Sequence, residues 1–313
     1  VMAEAPAPGS PETTSVLAVG ARGDWVPSPA ARHGVQGGRS FFCDVHRTKK
    51  NGEGYRITFT TDGATFRHVD RFLDIPAVAG DKVFVDVLSL NHTDAVIELL
   101  RRGVEVYYLR RLTLIAKKRE ELKLSKTTRN DIKVLMSIED RWFRRVTEDF
   151  LVMRRMIACY RSLLKSHQQL LNKSKALSEN ERDSLKIAVK AIEKQMVTLI
   201  KQISEEAGKR YPAYSKLVDE LGIRGKNSAM EALSELIVYA DFSKSSLRRL
   251  KKLLALYKPV RSRWKKHWRL YDGQLRQALD RLAITCYDTI PNGRMCWQLI
   301  RRIKELSTPQ TQG

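Results

Sequence analysis

Residues Lys82–Leu109 read KVFVDVLSLNHTDAVIELLRRGVEVYYL, and the architecture is read outward from them. Lys82–Ser89 is an apolar run of strand length carrying an acid, Asp86, where the run gives out. Thr93–Arg102 spaces Val96, Ile97, Leu99 and Leu100 as one face of a helix and stops at Gly103. Val104–Leu109 is a further strand. Upstream, Ser40–His46 (SFFCDVH) has the same form as the first run, a buried strand ending in an acid, Asp44. Tyr55–Thr61 alternates with period two, as a half-buried strand does, and KKNGEG before it is a turn. Thr65–Leu73 places Phe66, Val69, Phe72 and Leu73 on one helical side. The predicted order is strand, strand, helix, strand, helix, strand, helix, which implies an α/β layer with a mixed sheet.

The flanking chain differs in kind. Residues 1–38 hold five prolines and no sustained period, and read as a flexible leader with at most a short strand at Val16–Val19. From Arg129 to Gly208 the pattern is almost all helical. Leu185, Val189, Ile192, Met196, Leu199 and Ile203 alternate spacings of four and three, the pattern of a coiled-coil seam, and an earlier seam runs through Met153, Met156, Tyr160, Leu163, His167 and Leu170. Ser178 and Glu181 form a capping box between the seams. The two seams predict an antiparallel hairpin with a face left for a second subunit; a closed helical bundle fits the same pattern. Residues 211–305 predict a smaller helical domain, and 306–313 a tail.

Composition narrows the function. The 313 residues carry 57 Lys and Arg against 35 Asp and Glu, a net charge of +22, and 42% are apolar. A core is therefore attainable, and the charge calls for an anionic partner, nucleic acid foremost. No apolar run approaches membrane-spanning length, and the opening residues lack the apolar centre of a secretory signal. The four cysteines, Cys43, Cys159, Cys286 and Cys296, form no CxxC pair, which implies a reducing compartment and no thiolate zinc site. The expected location is cytoplasmic, in a prokaryotic cell and beside the nucleoid.

Asp44 and Asp86 stand where two apolar strands run out, and Asp131 stands early in the next predicted helix. Carboxylates converging from two strands and a helix supply hard oxygen donors suited to a pair of Mg²⁺ or Mn²⁺ ions, which serve phosphodiester cleavage. A lone Asp at a strand end is also a turn former, and an Asp early in a helix also complements its dipole. His46 and His92 follow two of the acids, either as helpers or as surface residues.

The order of these motifs resembles a RuvC/RNase H-like nuclease domain over Phe41–Ile138. It resembles in particular the domain that opens the Piv/MooV insertion-sequence transposases guided by a bridge RNA. The family's D-V-x-x-K strand is matched by Asp44-Val45-His46-Arg47, its V-V-E strand by Val83-Phe84-Val85-Asp86, and its K-T-D-x-x-D helix by Lys126, Thr127 and Asp131. Further on, G-I-G-P is similar to Gly222-Ile223-Arg224-Gly225 and F-x-S to Phe242-Ser243-Lys244-Ser245. Y-x-G-L-x-P is similar to Leu254–Pro259, and G-x-x-x-L-R-x-A-L to Gly273–Leu279. The second acid is Asp here rather than Glu, and the third acid of the pattern falls on Thr128. The seryl nucleophile of the recombinases has one counterpart, Ser262, with no glycine after it.

These departures favour hydrolysis over strand exchange. They bring the chain nearest the TasR type of the Tas proteins of tandem interspaced guide RNA systems, whose C-terminal helical domain is akin to the Nop domain. The resemblance implies an α/β RuvC/RNase H-like domain at 39–140, an α-helical coiled coil at 141–210 and a small all-α domain at 211–305. It implies a guide-RNA-binding, RNA-guided DNA endonuclease with guide RNA and target DNA as partners, a homodimer, and Asp44, Asp86 and Asp131 as catalytic metal ligands. The alternatives are a bridge-RNA-guided recombinase acting through Ser262, a guide-RNA scaffold with an inactive core, and a general RNA-binding helical protein.

Two basic regions are candidates for the nucleic-acid surface. Lys117, Lys118, Arg119, Lys126 and Arg129 flank the acids. Phe242–Tyr271 holds 11 Lys and Arg and no acid: Lys244, Arg248, Arg249, Lys251, Lys252, Arg261, Arg263, Lys265, Lys266 and Arg269 among them, interleaved with Trp264 and Trp268. The cations would position a backbone and the tryptophans would stack unpaired bases. Arg224, Lys226 and Arg276 complete the set. The Gly222–Gly225 turn is either a phosphate-binding helix start or a helix C-cap.

Overall fold

The structure, a computed structural model, describes residues 38–47, 55–256 and 272–308. Of the leader expected at 1–38, all but Gly38 lies outside the described residues, as do residues 48–54, which include the expected turn at 49–54, and the segments 257–271 and 309–313. The chain divides into two compact units, with the boundary between Arg145 and Val146.

The first unit is built on a mixed six-stranded sheet of order β3-β2-β1-β4-β5-β6. Its strands are β1 (Ser40–Arg47), β2 (Tyr55–Thr60), β3 (Arg67–Val69), β4 (Lys82–Val85), β5 (Glu105–Leu109) and β6 (Phe143–Arg145). β1, β4 and β5 run parallel, joined across the sheet by Cys43 beside Val85 and Val85 beside Tyr108. β2, β3 and β6 are antiparallel additions at the flanks. Helix α1 (Thr93–Arg101) connects β4 to β5, while α2 (Thr113–Glu121) and α3 (Thr128–Ser137) connect β5 to β6.

Alternation sorts the strand residues between two faces. Phe42 and Phe84 stack at 5.0 Å, and Phe84 stacks on Tyr107 at 5.1 Å, a row of rings across the parallel strands. Ile115 of α2 and Ile132, Leu135 and Met136 of α3 pack into the same cluster. Phe41, Cys43, Val83 and Val85 belong to the other face and are buried as well, which explains the continuous apolar runs of β1 and β4. At the N-terminal rim Asp81 ties both strands: its buried carboxylate accepts from the Arg39 and Val78 backbone N–H groups at 2.6 and 2.9 Å and pairs with the Arg39 guanidinium at 3.0 Å.

Two expectations are corrected here. Thr65–Leu73 is not a helix. The Asp62 side chain accepts from the Ala64 and Thr65 N–H groups, each at 2.8 Å, and turns the chain back so that Arg67–Val69 pairs with β2. A 3-10 turn at Phe72–Asp74 then buries Phe72. The helical run from Arg129 is also interrupted, because α3 ends at Ser137 and β6 intervenes before the next helix.

The second unit is helical. Helices α4 (Glu148–Ser174) and α5 (Glu179–Arg210) form the expected hairpin, with the Ser178–Glu181 capping box restarting the chain. Met153, Tyr160 and Ile203 are buried at its base, while Leu185, Val189, Ile192 and Met196 toward its tip are half-buried. Both patterns foreseen in the seams are thus present: a two-helix tip, and a base bundled with α7 (Asn227–Ala240). Helix α7 packs in turn on α9 (Gly273–Tyr287). Short helices α6 (Ala213–Glu220) and α8 (Leu247–Leu253) and the terminal α10 (Gly293–Ser307) complete the unit. Among the described residues no helix is long and apolar enough to cross a membrane.

Candidate active site

The acids arise where the apolar alternation of β1 and β4 runs out. Asp44 follows Phe42 and Asp86 follows Phe84 on the face covered by α2 and α3, just past the Cys43–Val85 pairing. The two carboxyls lie within hydrogen-bonding reach of each other. Thr127 caps α3 by accepting from the Asn130 N–H at 3.2 Å. The next residue, Thr128, stands close enough for its hydroxyl to act on Asp44 and lower its pKa. Asp131 lies one turn further along, near enough for its charge to act on Asp44. The helix start therefore faces the strand ends, because Thr128, Asp131 and the buried Leu135 share one side of α3.

Burial dominates the electrostatics. It raises the Asp44 carboxyl above its ordinary range, against the opposing influence of His46 and the Thr128 hydroxyl. Burial and then the charge of Asp44 push Asp86 up to about 7, and Asp86 Oδ1 is buried with no hydrogen-bond partner. His46 Nδ1 is 4.0 Å from Asp44 Oδ2. Two desolvated carboxyls with an unsatisfied oxygen fit one hard divalent cation held between them.

The expected set of three acids is not assembled. Asp131 makes an ion pair with Arg119 of α2, and both side chains are only about a fifth exposed, at 21 and 17%. Among the described residues no group of three or more His, Cys, Asp or Glu side chains is placed to hold a metal ion. His92 leaves the site altogether: it is buried edge-on against Tyr55 and Phe72, and burial lowers its pKa.

The sheet register adds two residues that the sequence did not single out. Thr58 lies opposite Asp44, and His68 lies opposite Thr58, with Thr58 Oγ1 and His68 Nδ1 2.9 Å apart. Asp44, Thr58 and His68 thus form a polar row across β1, β2 and β3, with Asp86 just past the end of β4. The polar Thr58 within YRITFTT was the available signal, but its partner depends on the β2–β3 pairing, which no local pattern announces.

The cations near the acids have varied roles. Lys126 is exposed, the Arg129 guanidinium lies 5.6 Å from the Phe66 ring centre, and Lys118 pairs with Glu121 at 2.9 Å, with Lys117 at 3.7 Å. In the helical unit Lys244, Arg248, Arg249, Lys251 and Lys252 are exposed on and beside α8, and so is Lys226. Arg224 pairs with Asp219. Gly222, at φ +62°, closes α6 with Ile223 N–H donating to the Val218 carbonyl, so this turn is a helix C-cap. Arg276 is bound to Asp280 at 3.0 Å and reaches the Leu254 carbonyl at 3.3 Å, which makes it a brace within the fold. Arg261, Ser262, Arg263, Trp264, Lys265, Lys266, Trp268 and Arg269 lie outside the described residues.

No protein-family model matches the chain, and no curated protein matches it.

Proposed function

We propose that the chain is a guide-RNA-binding, RNA-guided DNA endonuclease whose acidic pocket hydrolyses phosphodiesters. One observation carries this reading: Asp44 and Asp86 come together just past the last parallel pairing of β1 with β4, near the start of α3. That is where a RuvC/RNase H-like domain would gather its acids, and the mixed sheet is of the kind such a domain requires.

Asp44 and Asp86 would hold Mg²⁺ or Mn²⁺, which supplies Lewis acidity for water activation and for the departing oxygen. His46 and the Thr128 hydroxyl both favour the ionised form of the Asp44 carboxylate. Lys126 and Arg129, at the mouth of α3, would hold the scissile strand by its phosphates. The exposed cations of α8 would hold guide RNA, and base pairing would choose the target. Leu164, Ile187 and Val197, exposed on the hairpin at 37, 74 and 42%, support a second copy as partner.

A second reading, a guide-RNA scaffold without cleavage, draws support from Thr128 in place of an acid and from the Arg119–Asp131 pair. One experiment separates the two. The protein is purified from cells carrying its neighbouring genomic sequence, the bound RNA is sequenced, and a duplex matched to that RNA is offered with Mg²⁺. Cleavage that disappears in Asp44→Asn and Asp86→Asn supports the nuclease. A discrete small RNA without cleavage supports the scaffold, and bulk RNA rejects guided binding.

A further inference from the structure

We propose that Arg119 is a latch: it holds Asp131 out of the pocket until the phosphate backbone of a bound strand takes its guanidinium. Asp131 is then released to complete a second cation site beside Asp44 and Asp86. The inference rests on the reading of that pocket as a metal site.

The distribution of charge motivates it. Asp44 and Asp86 adjoin, Asp131 of α3 is near enough for its charge to act on Asp44, and Arg119 pairs with Asp131. Asp86 keeps an oxygen buried and unpartnered, while Asp131 has a guanidinium to itself. A purely structural arrangement would place the cation where the desolvation is greatest. Here it pairs with Asp131 instead, and it belongs to the basic run of α2.

Arg119 is suited to exchange partners. Its planar fork matches a phosphate as well as a carboxylate, so moving from Asp131 to a phosphodiester keeps the guanidinium paired throughout. Lys117 and Lys118 on the same helix would draw a polyanion to this edge, since their counterpart is the exposed Glu121. In the latch, Asp131 turns from Arg119 toward Asp44, whose pKa its charge already raises. The backbone of α3 is already fixed by Thr127 at its cap, and the Thr128 hydroxyl one turn earlier already lowers the Asp44 pKa. The pocket would then hold one cation at rest and two when a strand is bound, which confines hydrolysis to the loaded complex.

Mn²⁺ stoichiometry, measured on the full chain by electron paramagnetic resonance, tests this without reference to cleavage. The wild type is expected to bind about one Mn²⁺ per chain alone, and about two when saturated with a phosphorothioate single strand. Arg119→Met is expected to bind about two without the strand, and Arg119→Met with Asp131→Asn to return to one. Two ions in the wild type without a strand, or one in Arg119→Met, would overturn the latch and leave the metal site standing. No Mn²⁺ in any form would overturn the metal reading itself. Should Arg119→Met fail to fold, as judged by circular dichroism, the strand titration of the wild type decides alone: a count that stays at one rejects the latch.

Discussion

The rings of Phe42 and Phe84 stack 5.0 Å apart and 12° from parallel, and one alternation further the same two strands carry Asp44 and Asp86. The parallel register that brings the two rings together also brings the two carboxylates side by side. The stack is the last apolar layer before the strands open to the site, so each acid inherits the position of the ring behind it.

Asp86 makes the metal-free protein sensitive to base. Its folded pKa, about 7, lies above the unfolded value near 4, so the native state binds more protons between those limits. This contribution to stability is full below about pH 4 and is lost as pH rises through 7, on the order of 4 kcal/mol at most. Thermal unfolding in EDTA should show Asp86→Asn gaining on the wild type from pH 5 to pH 8. Mg²⁺ at pH 8 should raise the melting temperature of the wild type and leave that of Asp86→Asn unchanged. Equal pH slopes for the two proteins would contradict the burial of this carboxyl.

Asp81 behaves in the opposite sense. Burial works to raise its pKa, but the hydrogen bonds from Val78 and Arg39 outweigh it and hold the carboxyl below its usual range. Its contribution is therefore present above the unfolded pKa and lost as pH falls through the folded one. Asp81→Asn should cost about 2–3 kcal/mol at pH 7, because an amide N–H now meets backbone donors. In urea titrations the difference from wild type should shrink toward pH 3.

The helical unit contains a buried charged network that pairs α4 and α9 with α7. Arg161 pairs with Glu235, and Arg281 with Glu231 at 2.7 Å and Glu235 at 3.6 Å. Burial pushes Glu231 up to about 7 even with Arg281 beside it. Arg281→Met should destabilise the protein by about 3–5 kcal/mol at pH 8, since two carboxylates are left against one guanidinium. The loss should be smaller at pH 5.5, where Glu231 takes up a proton. Glu231→Gln added to Arg281→Met should recover much of it. Guanidinium unfolding of the three variants at both pH values checks the sign and the recovery.

The exposed cations of α8 should act on RNA affinity through phosphates. Replacing Arg248, Arg249 and Lys252 together with Ala removes three exposed charges. The slope of log affinity against log salt should become shallower by about 0.7 for each phosphate of a single strand that is no longer neutralised. Filter binding between 50 and 300 mM salt measures this. Arg276→Ala should instead lower thermal stability and leave the slope unchanged, since Arg276 holds Asp280 and the Leu254 carbonyl.

What could be read in advance follows the range of the interactions. The apolar runs of β1, β4 and β5, the face of α1 and the Ser178–Glu181 cap are local patterns, and each element stands where its residues imply. Phe66, Val69 and Phe72 mimic a helical face, yet Asp62 creates a turn and β2 offers an open edge, so tertiary pairing overrides the spacing. β6 is three residues long and carries no period of its own. Asp44 and Asp86 were legible as a pair because a sheet of this kind collects strand ends. The Arg119–Asp131 pair was not, because it depends on the angle at which α2 returns onto α3, and the Thr58–His68 hydrogen bond depends on a register.

Asp81 clamps β1 and β4 at one rim of the sheet, and the acids stand at the opposite rim of the same two strands. Strength and chemistry are kept at opposite ends of a shared plank. Residues at the open end can therefore be exchanged without loosening the bolt that keeps the plank in place. Evolution at this rim is inexpensive for the architecture, and so is protein engineering.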